Sequence, residues 1–170
     1  MQGYEVSIEI PPRRGLLDLR GNAAIRLICN EQLGGDLPLA ANRLACLPGN
    51  KLAYCISPDH WLLQVEEGDE GPVLRSLEQA AGQTFHAFTD VSDLYAQIRL
   101  SGPDVREVLV QGVSIDIHPR VFPAGSTARC EFAKTTAQLT CLETASVFEI
   151  AVYSSYQRYA IDWLTQAQGR

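Results

Sequence analysis

Residues able to do chemistry are sparse in this chain, and few stand at a spacing that a reaction requires. Asp90 and Asp93 flank Ser92 directly ahead of a predicted strand. A loop there can offer carboxylates to a ligand amine or to ring nitrogens, and the same residue types also build the turns from which strands start. Trp61 and Trp163 each lie in an apolar run, suited to core packing or to a platform under a ring system. Arg99 and Arg129 fall on predicted strands, where a guanidinium can grip a carboxylate bidentately or pair with the acids of a neighbouring subunit. The candidate ligand- or partner-binding set is therefore Trp61, Asp90, Ser92, Arg99 and Arg129. No residue is assigned a catalytic role.

Other chemistries lack the residues they need. His60, His86 and His118 stand far apart, two of them in expected turns beside Pro58 and Pro119, and are read as solvent-facing or locally bonded rather than as ligands. Cys29, Cys46, Cys55, Cys130 and Cys141 are odd in number and show no C-x-x-C spacing, which suits buried thiols and gives no metal site. G-x-G-x-x-G, G-x-x-x-x-G-K-[ST], H-E-x-x-H and G-x-S-x-G do not occur. Nucleotide phosphates, zinc hydrolysis and a nucleophile elbow therefore have no support in the sequence.

Composition sets the class. The 170 residues, 46% apolar and 20% charged, can bury roughly 70% of their unfolded surface. A net charge of -6 argues against a nucleic-acid surface, which needs a basic stripe to displace counterions from phosphate. Lys51 and Lys134 are the only lysines among 14 basic residues. That arginine bias fits protein interfaces, and a GC-rich genome would produce it equally. No run approaches the ~20 apolar residues of a spanning helix, and residues 1–20 lack a signal-peptide apolar core, so no membrane contact and a cytoplasmic location are expected.

The elements that must position the candidates are organised around residues 89–109. Tyr95 to Leu100 alternate like a half-buried strand. Ser101 or Gly102 then caps a helix with Pro103 in its first turn and Asp104 and Glu107 at its positive end. Val105, Val108 and Leu109 form its inner stripe, and Gly112 stops it. Leu19 to Ile28 repeat the pattern of Leu100 to Leu109 at an offset of 81, matching Gly21 to Gly102 and Ala24, Leu27 and Ile28 to the stripe. Strands at 52–56 and 61–65, joined by the turn 57–60, and a helix at 72–81 complete a first half. Strands at 128–132, 137–142 and 147–152, with a helix at 156–167, complete a second.

Each half thus reads β-α-β-β-α, giving an α+β fold of pseudo-duplicated ferredoxin-like halves with helices on one face of each sheet. The expected division is an N-terminal strand or arm over residues 1–15, a first half over 16–82 and a second over 83–170, packed as one unit. Residues 83–90 read as the join.

Several of these stretches carry a resemblance. Asp90-Val91-Ser92, Ile98 to Leu109, Ile115-Asp116-Ile117-His118-Pro119 and Phe122-Pro123-Ala124-Gly125-Ser126 resemble the gamma subunit of heterotetrameric sarcosine oxidase. Upstream, Leu33-Gly34-Gly35-Asp36-Leu37-Pro38 and Ser57-Pro58-Asp59-His60-Trp61-Leu62-Leu63 resemble its segments in the same order. The resemblance runs from about Leu16 to Leu164, and the Gly-Pro-Asp helix start is shared with the glycine-cleavage T-protein. It implies a T-protein-like fold and an accessory, non-catalytic place in a complex that oxidatively demethylates sarcosine to glycine, with tetrahydrofolate as one-carbon acceptor. It further implies alpha, beta and delta partner subunits, alpha the most direct, which carry FAD, FMN, NAD and tetrahydrofolate, with no cofactor on this chain. Ser57 and His60 depart from the family's usual glycine and acid, which leaves the N-methyl amino acid substrate open. The alternative is a stand-alone folate-binding or aminomethyltransferase-like protein.

Overall fold

The computed structural model describes residues 3–143 and 146–169 and shows two compact units. Residues 13–92 form the first, and the residues up to Pro12 together with those from Asp93 onward form the second. The chain's opening strand, β1 (Ser7–Glu9), belongs to the second unit.

In the first unit β2 (Arg14–Gly21) leads into α1 (Ala23–Leu33), then β3 (Leu44–Leu47), β4 (Lys51–Ser57), β5 (His60–Glu66), α2 (Glu70–Ala81) and β6 (His86–Asp90). The sheet order is β3-β4-β5-β2-β6, with antiparallel neighbours throughout. Because β5 lies between β2 and β4, this is a split β-α-β arrangement. Alternation puts Leu17, Leu19, Trp61, Leu63 and Val65 on one face, where they join Ile25, Cys29 and Leu33 of α1 and Leu77 of α2 in one core. Asn22 caps α1 by accepting from Ala24 N and Ile25 N at 3.0 and 3.2 Å, and Gly34 closes it in the left-handed region, φ 69°.

The second unit repeats the order with β7 (Tyr95–Ser101), α3 (Val105–Leu109), β8 (Thr127–Phe132), β9 (Thr135–Glu143), β10 (Val147–Tyr153) and α4 (Gln157–Ala167). Its sheet runs β1-β7-β10-β9-β8. The N-terminal β1 therefore fills, against β7, the place that β6 fills against β2. Ile98, Leu100, Val105, Leu109, Phe132, Phe148 and Leu164 are wholly buried in its core, and the Trp163 ring meets Phe132 edge-on with centroids 5.1 Å apart.

Several expectations change. Residues 83–90 do not form a join: 86–90 are β6, paired to β2, so the first unit extends to Ser92. The N-terminal arm contributes to the second sheet through β1, and its residues 1 and 2 lie outside the described residues. The short strand β3 carries too little alternation to be read from sequence.

The inner face of α1 is Ile25, Cys29 and Leu33, with Ile28 partly buried against the same core as expected, whereas Ala24 and Leu27 face outward; Leu27 is 60% exposed. The buried strand positions Leu17 and Leu19 match Ile98 and Leu100 at an offset of 81, but Ile25 and Cys29 match Val105 and Leu109 at 80. The first unit thus spends one residue more between strand and helix. In the second unit neither Ser101 nor Gly102 caps a helix. The cap position is Asp104, whose side chain makes no capping bond and instead accepts from Glu5 N at 2.8 Å. The helix α4 starts at Gln157 rather than at Tyr156; Tyr156 and Tyr159 are nearly half exposed, while Ala160 and Leu164 face inward.

Candidate functional site

Each of the sequence candidates is held by its own unit. Trp61 on β5 is 1% exposed, and its indole Nε1 donates to Pro38 O at 2.8 Å. It is a core residue with a satisfied polar edge. Asp90 and Ser92 are brought together: Ser92 N and Oγ donate to Asp90 Oδ1 at 3.0 and 2.5 Å, while Ser92 Oγ accepts from Leu16 N at 2.9 Å. The pair ends β6 and fastens it to the start of β2.

Arg99 lies opposite Glu9 on β1 and Glu149 on β10. Its Nη2 donates to Glu149 Oε2 at 3.2 Å, and Glu149 is 5% exposed. A carboxylate that far from water needs such a partner. Arg129 donates to the Tyr153 hydroxyl at 2.9 Å, and the Tyr153 ring stacks on Tyr95 at 5.4 Å. Trp61, Asp90 and Ser92 thus belong to the first unit, and Arg99 and Arg129 stand in different cross-strand rows of the second.

Two histidines pair with carboxylates. His60 Nε2 sits 2.7 Å from Asp18 Oδ2, and Arg20 Nε donates to Asp18 Oδ1 at 2.8 Å. Burial pushes the Asp18 carboxyl up, but the bonds from His60 and Arg20 outweigh it and hold the group below its ordinary range. His86 places Nε2 2.8 Å from Glu78 Oε2 and Nδ1 2.6 Å from Thr84 O. With acceptors at both ring nitrogens the doubly protonated imidazolium is favoured, and its pKa is raised, first by Glu78 and then by the Thr84 carbonyl.

A group whose folded pKa is raised stabilises the fold fully below its unfolded value, and that contribution fades as pH climbs through the folded one. Glu78→Gln is therefore expected to destabilise the first unit by about 0.5 kcal/mol at about pH 5.5 and by almost nothing at about pH 9, since Glu78 is half exposed and the pair is screened. Urea denaturation at the two pH values measures this; an equal loss at both would show that the imidazolium contributes nothing.

Among the described residues, no group of three or more His, Cys, Asp or Glu side chains could hold a metal ion. The five cysteines are free, Cys46 alone exposed. Burial pushes the Cys29 and Cys130 thiols up to about 11, which keeps them unreactive.

One concave feature escaped the sequence reading. A groove of about 450 Å³ in the second unit is lined by Arg106 and Glu107 of α3, by Val110 at the cap position just past its end, and by residues 116–119. Arg106 turns its guanidinium inward, donating to Ile117 O and, at 3.2 Å, to Phe122 O, and lying 4.7 Å over the Phe148 ring. It so fixes α3 to the loop opposite. The available signal was Val108-Leu109-Val110: three consecutive apolar residues on a helix cannot all face inward, and Val110 is 61% exposed.

The architecture has known counterparts. One chain of the heterotetrameric sarcosine oxidase from Corynebacterium sp. U-96 in complex with pyrrole 2-carboxylate aligns over 96% of this chain and 84% of its own length, with TM-score 0.89 and 23% identity. The glycine cleavage system aminomethyltransferase T from Bartonella henselae aligns over 96% of this chain but 46% of its own, with TM-score 0.67 and 14% identity. No match was found among curated protein sequences. Two split β-α-β sheets, each with helices on one face, make this an α+β protein with the T-protein kind of fold. The sarcosine oxidase, gamma subunit family matches residues 20–170, and the chain belongs to that family.

Proposed function

We propose that this chain serves as the accessory gamma subunit of a heterotetrameric sarcosine oxidase, the assembly that oxidatively demethylates sarcosine to glycine with tetrahydrofolate as one-carbon acceptor. The family match over residues 20–170 carries this reading, and the likeness of fold to a chain of such an enzyme supports it. On this reading FAD, FMN, NAD and tetrahydrofolate reside on the alpha, beta and delta subunits, alpha is the one this chain meets most directly, and this chain supplies no catalytic group. The engagement of Trp61, Asp90, Ser92 and Arg99 within their own units agrees with such a division of labour. The assembly works in the cytoplasm; no helix among the described residues is long and apolar enough to cross a membrane. The stand-alone folate-binding alternative rests on the T-protein likeness, of which this chain spans less than half.

Co-expression of the tagged chain with the alpha, beta and delta subunits from the same source tests the proposal. Recovery of a yellow, stoichiometric complex that oxidises sarcosine is the expected result. A colourless chain eluting alone, beside an αβδ assembly of full activity and stability, would overturn it.

A further inference from the structure

We propose that the groove between α3 and residues 116–119 receives a basic, apolar segment of a partner subunit, with an aliphatic side chain seated on Val110 and an arginine or lysine between Glu107 and Asp116. This deepens the gamma-subunit reading and rests on it.

Shape comes first: about 450 Å³ suits one or two partner side chains rather than a flat contact. The walls are fixed in advance, because Arg106 bonds from α3 across to Ile117 O and Phe122 O. A partner therefore spends little ordering them. An apolar surface is exposed there: Val110 is 61% exposed on the groove wall and Val121, just beyond it in sequence, 62%. Charge selects the partner. The Glu107 carboxylate is exposed. Asp116 accepts from the backbone His118 N at 2.8 Å and remains exposed. Arg106, the one arginine or lysine lining the groove among the described residues, turns its guanidinium inward to carbonyls and the Phe148 face, so the exposed rim is left to the two carboxylates, which outnumber its single charge. The rim therefore presents negative charge, in keeping with the chain's net charge of -6. His118 adds a donor: its Nδ1 accepts from Arg120 N at 3.3 Å, which leaves the proton on Nε2.

The test uses the assembled complex. Glu107→Arg/Val110→Lys reverses the charge and removes the apolar seat at one exposed position of α3 and at its exposed C-cap. It is expected to weaken association with the alpha, beta and delta subunits by about tenfold or more, with circular dichroism and melting of the isolated chain unchanged. Asp116→Asn keeps the acceptor for His118 N and removes only charge, so it still reads the groove if the double variant folds poorly; it is expected to cost about threefold and to flatten the salt dependence of assembly. Arg158→Glu on α4, fully exposed, serves as the control and should change nothing. Undiminished assembly of the groove variants beside an assembling wild type would overturn the docking surface and leave the gamma-subunit reading standing. Failure of the wild type itself to assemble would bring down both.

Discussion

Trp61→Ala is expected to destabilise the first unit by about 3–5 kcal/mol, the range for truncating a large buried aromatic. The residue is 1% exposed, sits among Leu19, Leu63, Ile25 and Cys29 in one core, and satisfies Pro38 O through its indole N–H. Truncation leaves a cavity and a carbonyl without its donor. Trp61→Phe preserves most of the volume and loses only the hydrogen bond, so its expected cost is about 1–2 kcal/mol. Urea denaturation monitored by circular dichroism gives both values. A platform for a bound ring system would behave differently, since Trp61→Ala would then leave the denaturation midpoint near that of the wild type.

Gly102→Ala should cost the second unit about 3 kcal/mol or more. At φ 133° the residue adopts a backbone conformation closed to L side chains. An added Cβ would also fall within contact radius of Glu5 O and 3.1 Å from Val6 Cα. Strain and clash add here, and both partners are backbone atoms that cannot swing aside. Gly68→Ala separates the two effects: φ is 93° but nothing lies within 4 Å of the added methyl, so only the conformational cost of about 1 kcal/mol remains. Equal losses at the two glycines would show that the close approach of the Glu5 segment does not hold in solution.

How much the sequence revealed depended on whether the signal was local. The strands at 52–56, 61–65, 95–100 and 147–152 were legible because alternation over five or more residues leaves little choice of face. The stripe Val105, Val108 and Leu109 was legible from its i, i+3, i+4 spacing, although the helix itself spans only Val105–Leu109 rather than running from Pro103 to Gly112. The pairing of β1 with β7 was not, since a three-residue strand is defined by the edge that receives it, about ninety residues away. β6 was hidden because His86, Thr89 and Asp90 read as polar linker; only Phe88 points into the core. The inner face of α1 was misjudged through a single residue, the difference between offsets of 81 and 80, which rotates a helix by about 100°. Trp61, Asp90, Ser92, Arg99 and Arg129 were singled out by residue type and placement as candidates for ligand or partner binding. What could not be foreseen is which partner each would find. Ser92 bonding Leu16 N and Arg99 bonding Glu149 are set by register, which no single segment encodes. The groove was invisible because its walls come from a helix and a loop brought together by tertiary packing and by the Arg106 bonds across to Ile117 O and Phe122 O.

The exchange of places between β1 and β6 bears on how the molecule is made. The first unit is one uninterrupted stretch, 13–92, and can complete its sheet as soon as β6 leaves the ribosome. The second unit joins the two ends of the chain: Ser7 to Glu9 lie along Ser101 to Arg99, and Tyr4 N is bonded to Gln168 O at 2.9 Å. Its first strand is synthesised before any of its partners, and pairing it with β7 closes a loop of about ninety residues, so the second unit carries the larger loop-closure cost. Translation thus delivers a finished first unit while the earliest segment of the second still waits for its sheet.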